Sequence, residues 1–201
     1  MDDAEVQWLA GFSNGDFSIA VSTRPSANSI GWRCAVKLAW SQNEVPYVAG
    51  FVDADGAIKI RVSKSDMHHL GYTTSPDICI DSSDADVIKK IKKILNDNNI
   101  NTPEHHSFSN RGIPMNRLEV TKLTDVRKIL ELIRPYLVGR KRIQVEMMLN
   151  TALPIFEKGE HLTKEGFIKI MEIRDMMVLS KKKDIREHTA DYFKKLWSIG
   201  V

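Results

Sequence analysis

Two aspartates draw attention because they recur in the same setting. Residues 8–21 read WLAGFSNGDFSIAV and residues 47–60 read YVAGFVDADGAIKI. Ala10, Gly11, Phe12, Asp16 and Ile19 return as Ala49, Gly50, Phe51, Asp55 and Ile58, 39 positions later. An acid at the end of a short apolar helix sits at the negative end of the helix dipole, which is unfavourable without a compensating charge. A divalent cation shared by two such helix ends would supply it, and two parallel copies would bring Asp16 and Asp55 to one point. Carboxylates that leave water positions open suit Mg²⁺, which activates water and stabilises a leaving phosphate oxygen. Ala-Gly in the middle of each stretch removes bulk from one face, so two such helices can pack with their backbones close.

The elements that must position these acids follow from periodicity. After each motif the chain alternates: Ser18, Ala20 and Ser22 lie opposite Ile19 and Val21, and Lys59, Arg61 and Ser63 lie opposite Ile58, Ile60 and Val62. Period two is the mark of a half-buried strand. A second strand is expected over 73–81, with Ile78 and Ile80 inward, and Ser82 or Ser83 can cap a helix over 85–98 whose Val87, Ile88, Ile91, Ile94 and Leu95 form one stripe. Residues 105–109 and 115–121 alternate as a hairpin around Asn110-Arg111-Gly112, and Thr124 or Asp125 opens a further helix. The unit from 46 to 137 is therefore α-β-β-α-β-β-α, an α+β arrangement, and two or three helices follow near 142–153, 163–179 and 184–199. The first copy has room only for α-β-β, its second strand being 34–42. The expected division is a partial repeat at 1–44, a complete unit at 45–140 and a helical segment at 141–201.

Composition narrows the class. The chain has 201 residues, 42% hydrophobic and 27% charged, which is ordinary for a globular protein and argues against disorder. No apolar run approaches the roughly 18 residues of a membrane span, and MDDAEVQW lacks a basic-then-apolar leader pattern. Cys34 and Cys79 form no CxxC pair, so a disulfide framework and a structural zinc site lack support. A reducing compartment, cytoplasmic or intra-organellar, is the expected location. The net charge of +3 requires that any nucleic-acid surface concentrate its cations on one face.

AGFVDADG at 49–56 resembles the signature of the LAGLIDADG homing endonucleases, and AGFSNGDF at 10–17 resembles a diverged second copy. The likeness continues through LIRPYLVGRKRIQ at 132–144 and HLTKEGFIKIMEIRDMM at 161–177. It implies two pseudo-symmetric halves, each an antiparallel saddle-shaped sheet over the DNA major groove, with the motif helices at their interface. It further implies Mg²⁺-dependent double-strand cleavage at a long site, leaving short 3′ overhangs, with Mn²⁺ as a substitute metal. On this resemblance Asp55 and Asp16 take the metal-binding position, Asp53 is structural, and Gln42 matches the polar residue that orders active-site water. Ser82 or Ser83 is the weaker counterpart in the second copy. Lys141, with Arg140 as rival, stabilises charge at the scissile phosphate.

The outward phase of the strands supplies a binding surface. Lys59, Arg61 and Ser63 join Arg33 and Lys37, then Ser107, Ser109, Asn116, Arg117, Glu119 and Thr121, with His68, His69 and Arg111 at hairpin tips. Such groups bond base edges or phosphates, and a two-stranded ribbon fits the major groove. Phe17 stands where the second copy has Gly56, and Ser13-Asn14 replaces Val52-Asp53. Two assemblies follow: Asp16 and Asp55 pair within a monomer, or the complete unit dimerises through its own motif helix. The retained Asp16 and Gln42 favour the monomer. The expected partner is double-stranded DNA; an intron RNA maturase and a non-cleaving DNA-binding protein are the alternatives on this fold.

Overall fold

A computed structural model describes residues 2–16, 44–108, 112, 114–177 and 188–198, with the main chain alone for 12–16 and 107. Helix α1 (Asp3–Asp16) opens with a reciprocal cap: Asp2 Oδ1 accepts the Glu5 N–H at 2.8 Å, and Glu5 Oε2 accepts the Asp2 N–H at 2.9 Å. Helix α2 (Val45–Ala54) starts with Pro46 in its first turn, where a missing N–H costs nothing. Every residue of α2 from Val45 to Val52 is buried.

α1 lies directly on α2. A Cβ built on Gly11 would stand 1.8 Å from the Tyr47 carbonyl oxygen and 3.0 Å from the Phe51 nitrogen. Only a residue without a side chain lets the two backbones approach so closely. The small-residue face read from the sequence is thus occupied by the chain's own first helix.

Strands β1 (Ala57–Lys64), β2 (Tyr72–Ser82), β3 (Glu104–Phe108) and β4 (Pro114–Val120) form one antiparallel sheet in the order β1-β2-β4-β3. Helix α3 (Ala85–Asp97) connects β2 to β3, and α4 (Leu123–Ile133) follows β4. Ile58, Ile60, Ile78, Ile80, Leu118 and Val120 fill one face of the sheet against Phe51, Ile88, Ile91, Leu95, Val126, Ile129 and Leu130, all of them buried. The order α2-β1-β2-α3-β3-β4-α4 is the one the periodicity predicts.

Several boundaries differ from the sequence reading. Asp84, rather than Ser82 or Ser83, caps α3, accepting the N–H of Asp86 at 2.9 Å, while Ser82 Oγ accepts the N–H of Asp84. α4 begins at Leu123 after Lys122, and Asp125 is buried inside its first turn. A 3₁₀ turn at Arg134–Tyr136 leads into α5 (Gly139–Met147), a wide turn over Met148–Ala152, and α6 (Leu153–Glu157). Pro154 has no N–H to give Asn150, which explains the widening there. Helices α7 (Lys164–Met177) and α8 (Ala190–Leu196) meet through Phe167, Phe193 and Trp197. Tyr192 ties α8 to the start of β2, its hydroxyl 2.9 Å from that of Tyr72. The expected strands of the first copy lie outside the described residues. Among the described residues no helix is long and apolar enough to cross a membrane.

Candidate active site and nucleic-acid interface

The C-terminal end of α2 gathers three elements. Asp55 ends the helix, its N–H bonded to the Phe51 carbonyl at 2.9 Å, and its side chain is exposed. Asp53, two residues back toward the helix body, turns its carboxylate sideways: it accepts the Val138 N–H at 2.8 Å and the Trp8 indole N–H at 3.3 Å. Val138 is the residue before α5, so one carboxylate fastens α1, α2 and α5 together. Burial raises the Asp53 pKa, opposed by the bonds from Val138 and Trp8 and by the charge of Lys141.

Lys141, in the first turn of α5, donates from Nζ to the Gly56 carbonyl oxygen. Its pKa is lowered because burial penalises the ammonium, while Asp53 and Asp55 pull the other way. Arg140 is exposed, and among the described residues it is Lys141 that bonds at this end of α2. Part of the charge that offsets the acidic helix end therefore comes from the chain itself. Gly56 is needed for space: a Cβ there would stand 2.7 Å from Val52 Cα.

The open face of the sheet is an ion-paired surface. Asp77 on β2 is fully buried, yet it lies among cations: Lys59 Nζ is 3.2 Å from it and Arg61 Nη2 2.9 Å. Arg61 also pairs with Glu119, and Arg117 donates from Nε and Nη2 to the two oxygens of Asp81 at 2.6 and 2.9 Å. Burial, with the charge of Asp77 beside it, pushes the Cys79 thiol up to about 11. Among the described residues, Asp77, Cys79 and Glu119 bring donor atoms within 4.8 Å of one another. Lys59 and Arg61 already balance the carboxylates there, so this cluster is an ion-pair network apart from the end of α2.

The strand register sorts the residues singled out in the sequence. Lys59, Arg61, Ser63, Arg117 and Glu119 share the open face, and Thr121 is exposed just past β4. Asn116 does not: it pairs with Ser82 and His106, in phase with the buried Leu118 and Val120, and its amide donates to the Ser82 carbonyl at 3.5 Å. Adjacent strand residues face opposite ways, so Asn116 and Arg117 cannot both be outward. Ser107 lies in β3 opposite Met115. His68 and His69 sit in the turn between β1 and β2 with ring centroids 4.6 Å apart, His68 half-buried and His69 exposed. Arg33, Lys37, Gln42, Ser109 and Arg111 lie outside the described residues, as does the side chain of Asp16. Asp77, Cys79 and Asp81 alternate with the inward Ile78 and Ile80 on β2, and that polar phase is the signal in the sequence for this network.

The model of the LAGLIDADG endonuclease family matches residues 48–152. The chain belongs to that family. Among solved structures, the homing endonuclease I-CvuI, bound to the I-CreI target with Mg²⁺, aligns with a TM-score of 0.62 and 22% identity, covering 77% of this chain and 92% of that one. The homing endonuclease I-TnaI aligns with a TM-score of 0.58 and 24% identity over 77% of this chain and 95% of that one. The archaeal intron-encoded I-Vdi141I, complexed with DNA, gives a TM-score of 0.60 at 16% identity over 78% and 98%. At these identities the likeness is one of fold. A comparison with curated proteins returns no match.

Proposed function

We propose that the chain is a site-specific homing endonuclease that makes Mg²⁺-dependent double-strand breaks in a long DNA target. The observation that carries this reading is the meeting of Asp55, Lys141 and the Gly56 carbonyl at the end of α2, beside a sheet whose open face bears Lys59, Arg61 and Arg117. The donor chemistry fits a hard divalent cation: an exposed carboxylate at a negative helix end. Asp55, with Asp16 from the first repeat, would hold it, and the metal would supply an activated water and charge stabilisation. Lys141 holds a positive charge beside the scissile phosphate, and Asp53 fixes α5 so that this ammonium stays in place. The open face of the sheet enters the major groove.

The close seat of α1 on α2 supports pairing of the two motif helices within one chain. A symmetric dimer through α2 would need that same face.

The test is a cleavage selection. Purified protein is incubated with fragmented genomic DNA in Mg²⁺ or in EDTA, and new ends are sequenced. Mg²⁺-dependent ends accumulating at one long site support the proposal. No new ends, with binding to DNA or intron RNA retained, would replace it with the regulator or the maturase.

A further inference from the structure

We propose that Arg117 and Asp81 act as one unit that reads a single guanine of the target duplex, Asp81 serving as a positioning residue. The inference rests on the DNA-binding reading above and deepens it. The two residues are direct partners across β2 and β4, on the open face of the sheet. Arg117 Nε donates to Oδ1 at 2.6 Å and Nη2 to Oδ2 at 2.9 Å, while the side chains remain 35% and 30% exposed.

A guanidinium is planar and carries five N–H donors. Asp81 takes two of them along the Nε edge. The end-on edge, formed by Nη1 and the second hydrogen of Nη2, then faces away from the carboxylate. Two parallel N–H groups on that edge match the paired acceptors of guanine, O6 and N7, in the major groove. Adenine offers one acceptor and a donor there, so it satisfies only half the fork. A bidentate carboxylate also holds the plane of the arginine before DNA arrives, so less rotamer freedom is lost on binding. Arg61 is held differently: Nη2 alone serves both Asp77 and Glu119, which leaves its fork unaligned with either carboxylate edge.

The experiment selects bound sequences from a duplex pool randomised over several helical turns, using the full chain in EDTA so that nothing is cut. Wild-type protein is expected to enrich a site containing a guanine preferred by about tenfold or more at one position. Arg117→Lys and Asp81→Asn are each expected to lower the preference at that same position to about twofold or less, with other positions unchanged. Asp81→Asn also removes a negative charge, so its affinity for unselected duplex should rise while the base preference falls. A merely structural residue would not split the two readouts in opposite directions. If Asp81→Asn keeps the preference that Arg117→Lys loses, Asp81 does not position the reader. Retention of every preferred position by Arg117→Lys overturns the assignment of Arg117, whereas uniform loss at all positions with a lowered melting temperature makes the pair structural. Wild-type protein that melts cooperatively yet enriches no sequence overturns the DNA-reading proposal itself and this inference with it.

Discussion

The ammonium of Lys141 is bonded to the carbonyl of Gly56, the residue that follows Asp55. A helix that ends in an acid crowds that acid against its own negative pole, and here a lysine from another helix brings positive charge to that end, while the Asp55 and Gly56 N–H groups bond the Phe51 and Val52 carbonyls. Burial lowers the pKa of that lysine, although Asp53 and Asp55 resist the shift. If this end of α2 is the cleavage site proposed above, the protonation of Lys141 sets the rate.

Lys141→Met should leave DNA affinity within about twofold and lower the cleavage rate by roughly 10²–10³, the usual effect of removing one such charge-stabilising group. Single-turnover kinetics on the selected site would measure it. The wild-type rate should fall as pH rises through the lowered lysine pKa, because the needed form is the protonated one. Lys141→Arg should hold its own rate constant across that alkaline range. A wild-type profile flat to the ordinary lysine value would contradict this.

Gly11→Ala should destabilise the fold by about 2–3 kcal/mol, since the new Cβ would need to displace the Tyr47 carbonyl from 1.8 Å. Urea denaturation of the two proteins would show it. Unchanged stability would mean that α1 does not pack on α2 as described.

The sheet cations are already partnered, which changes what their loss should do. Arg61→Ala should flatten the salt dependence of DNA binding by less than the one unit expected of an unpaired phosphate contact. Asp77→Asn should steepen the slope and cost about 1–2 kcal/mol of stability, because a buried charge partner of Lys59 and Arg61 is lost. Fluorescence titrations across a salt series would separate the two. A full unit lost with Arg61→Ala would show that Asp77 and Glu119 release it on binding.

Cys79 should resist alkylation in the folded protein. Its thiol is pushed up to about 11 by burial and by Asp77, so at pH 8 almost no thiolate is present. Peptide mapping of a Cys34→Ser protein treated with iodoacetamide, native and in urea, would test this. Rapid native labelling of Cys79 would contradict the burial of β2.

Much of the fold was legible because periodicity is a direct image of burial. The alternation at Ile58, Ile60 and Val62 and the stripe of Ile88, Ile91 and Leu95 named β1 and α3 correctly. Caps were less legible, because Ser82, Ser83 and Asp84 are all competent and the choice depends on where β2 ends and α3 begins. The acid-and-helix logic pointed to Asp55, and the structure sets Lys141 beside it. The ion pairs of the sheet could not be read, because Asp77 and Glu119 meet Arg61 from separate strands and pairing register is not written in any one segment. Asn116 departs from the expected outward phase for a simpler reason: alternation permits either it or Arg117 on a given face, never both.

The most direct measurement compares wild type with Asp55→Asn in the cleavage selection, with duplex binding measured in parallel. Removing one carboxylate oxygen charge at the end of α2 should abolish Mg²⁺-dependent ends while leaving affinity for the selected site within about twofold. Undiminished cutting by Asp55→Asn would contradict the account, because the chemistry would then lie elsewhere in the chain.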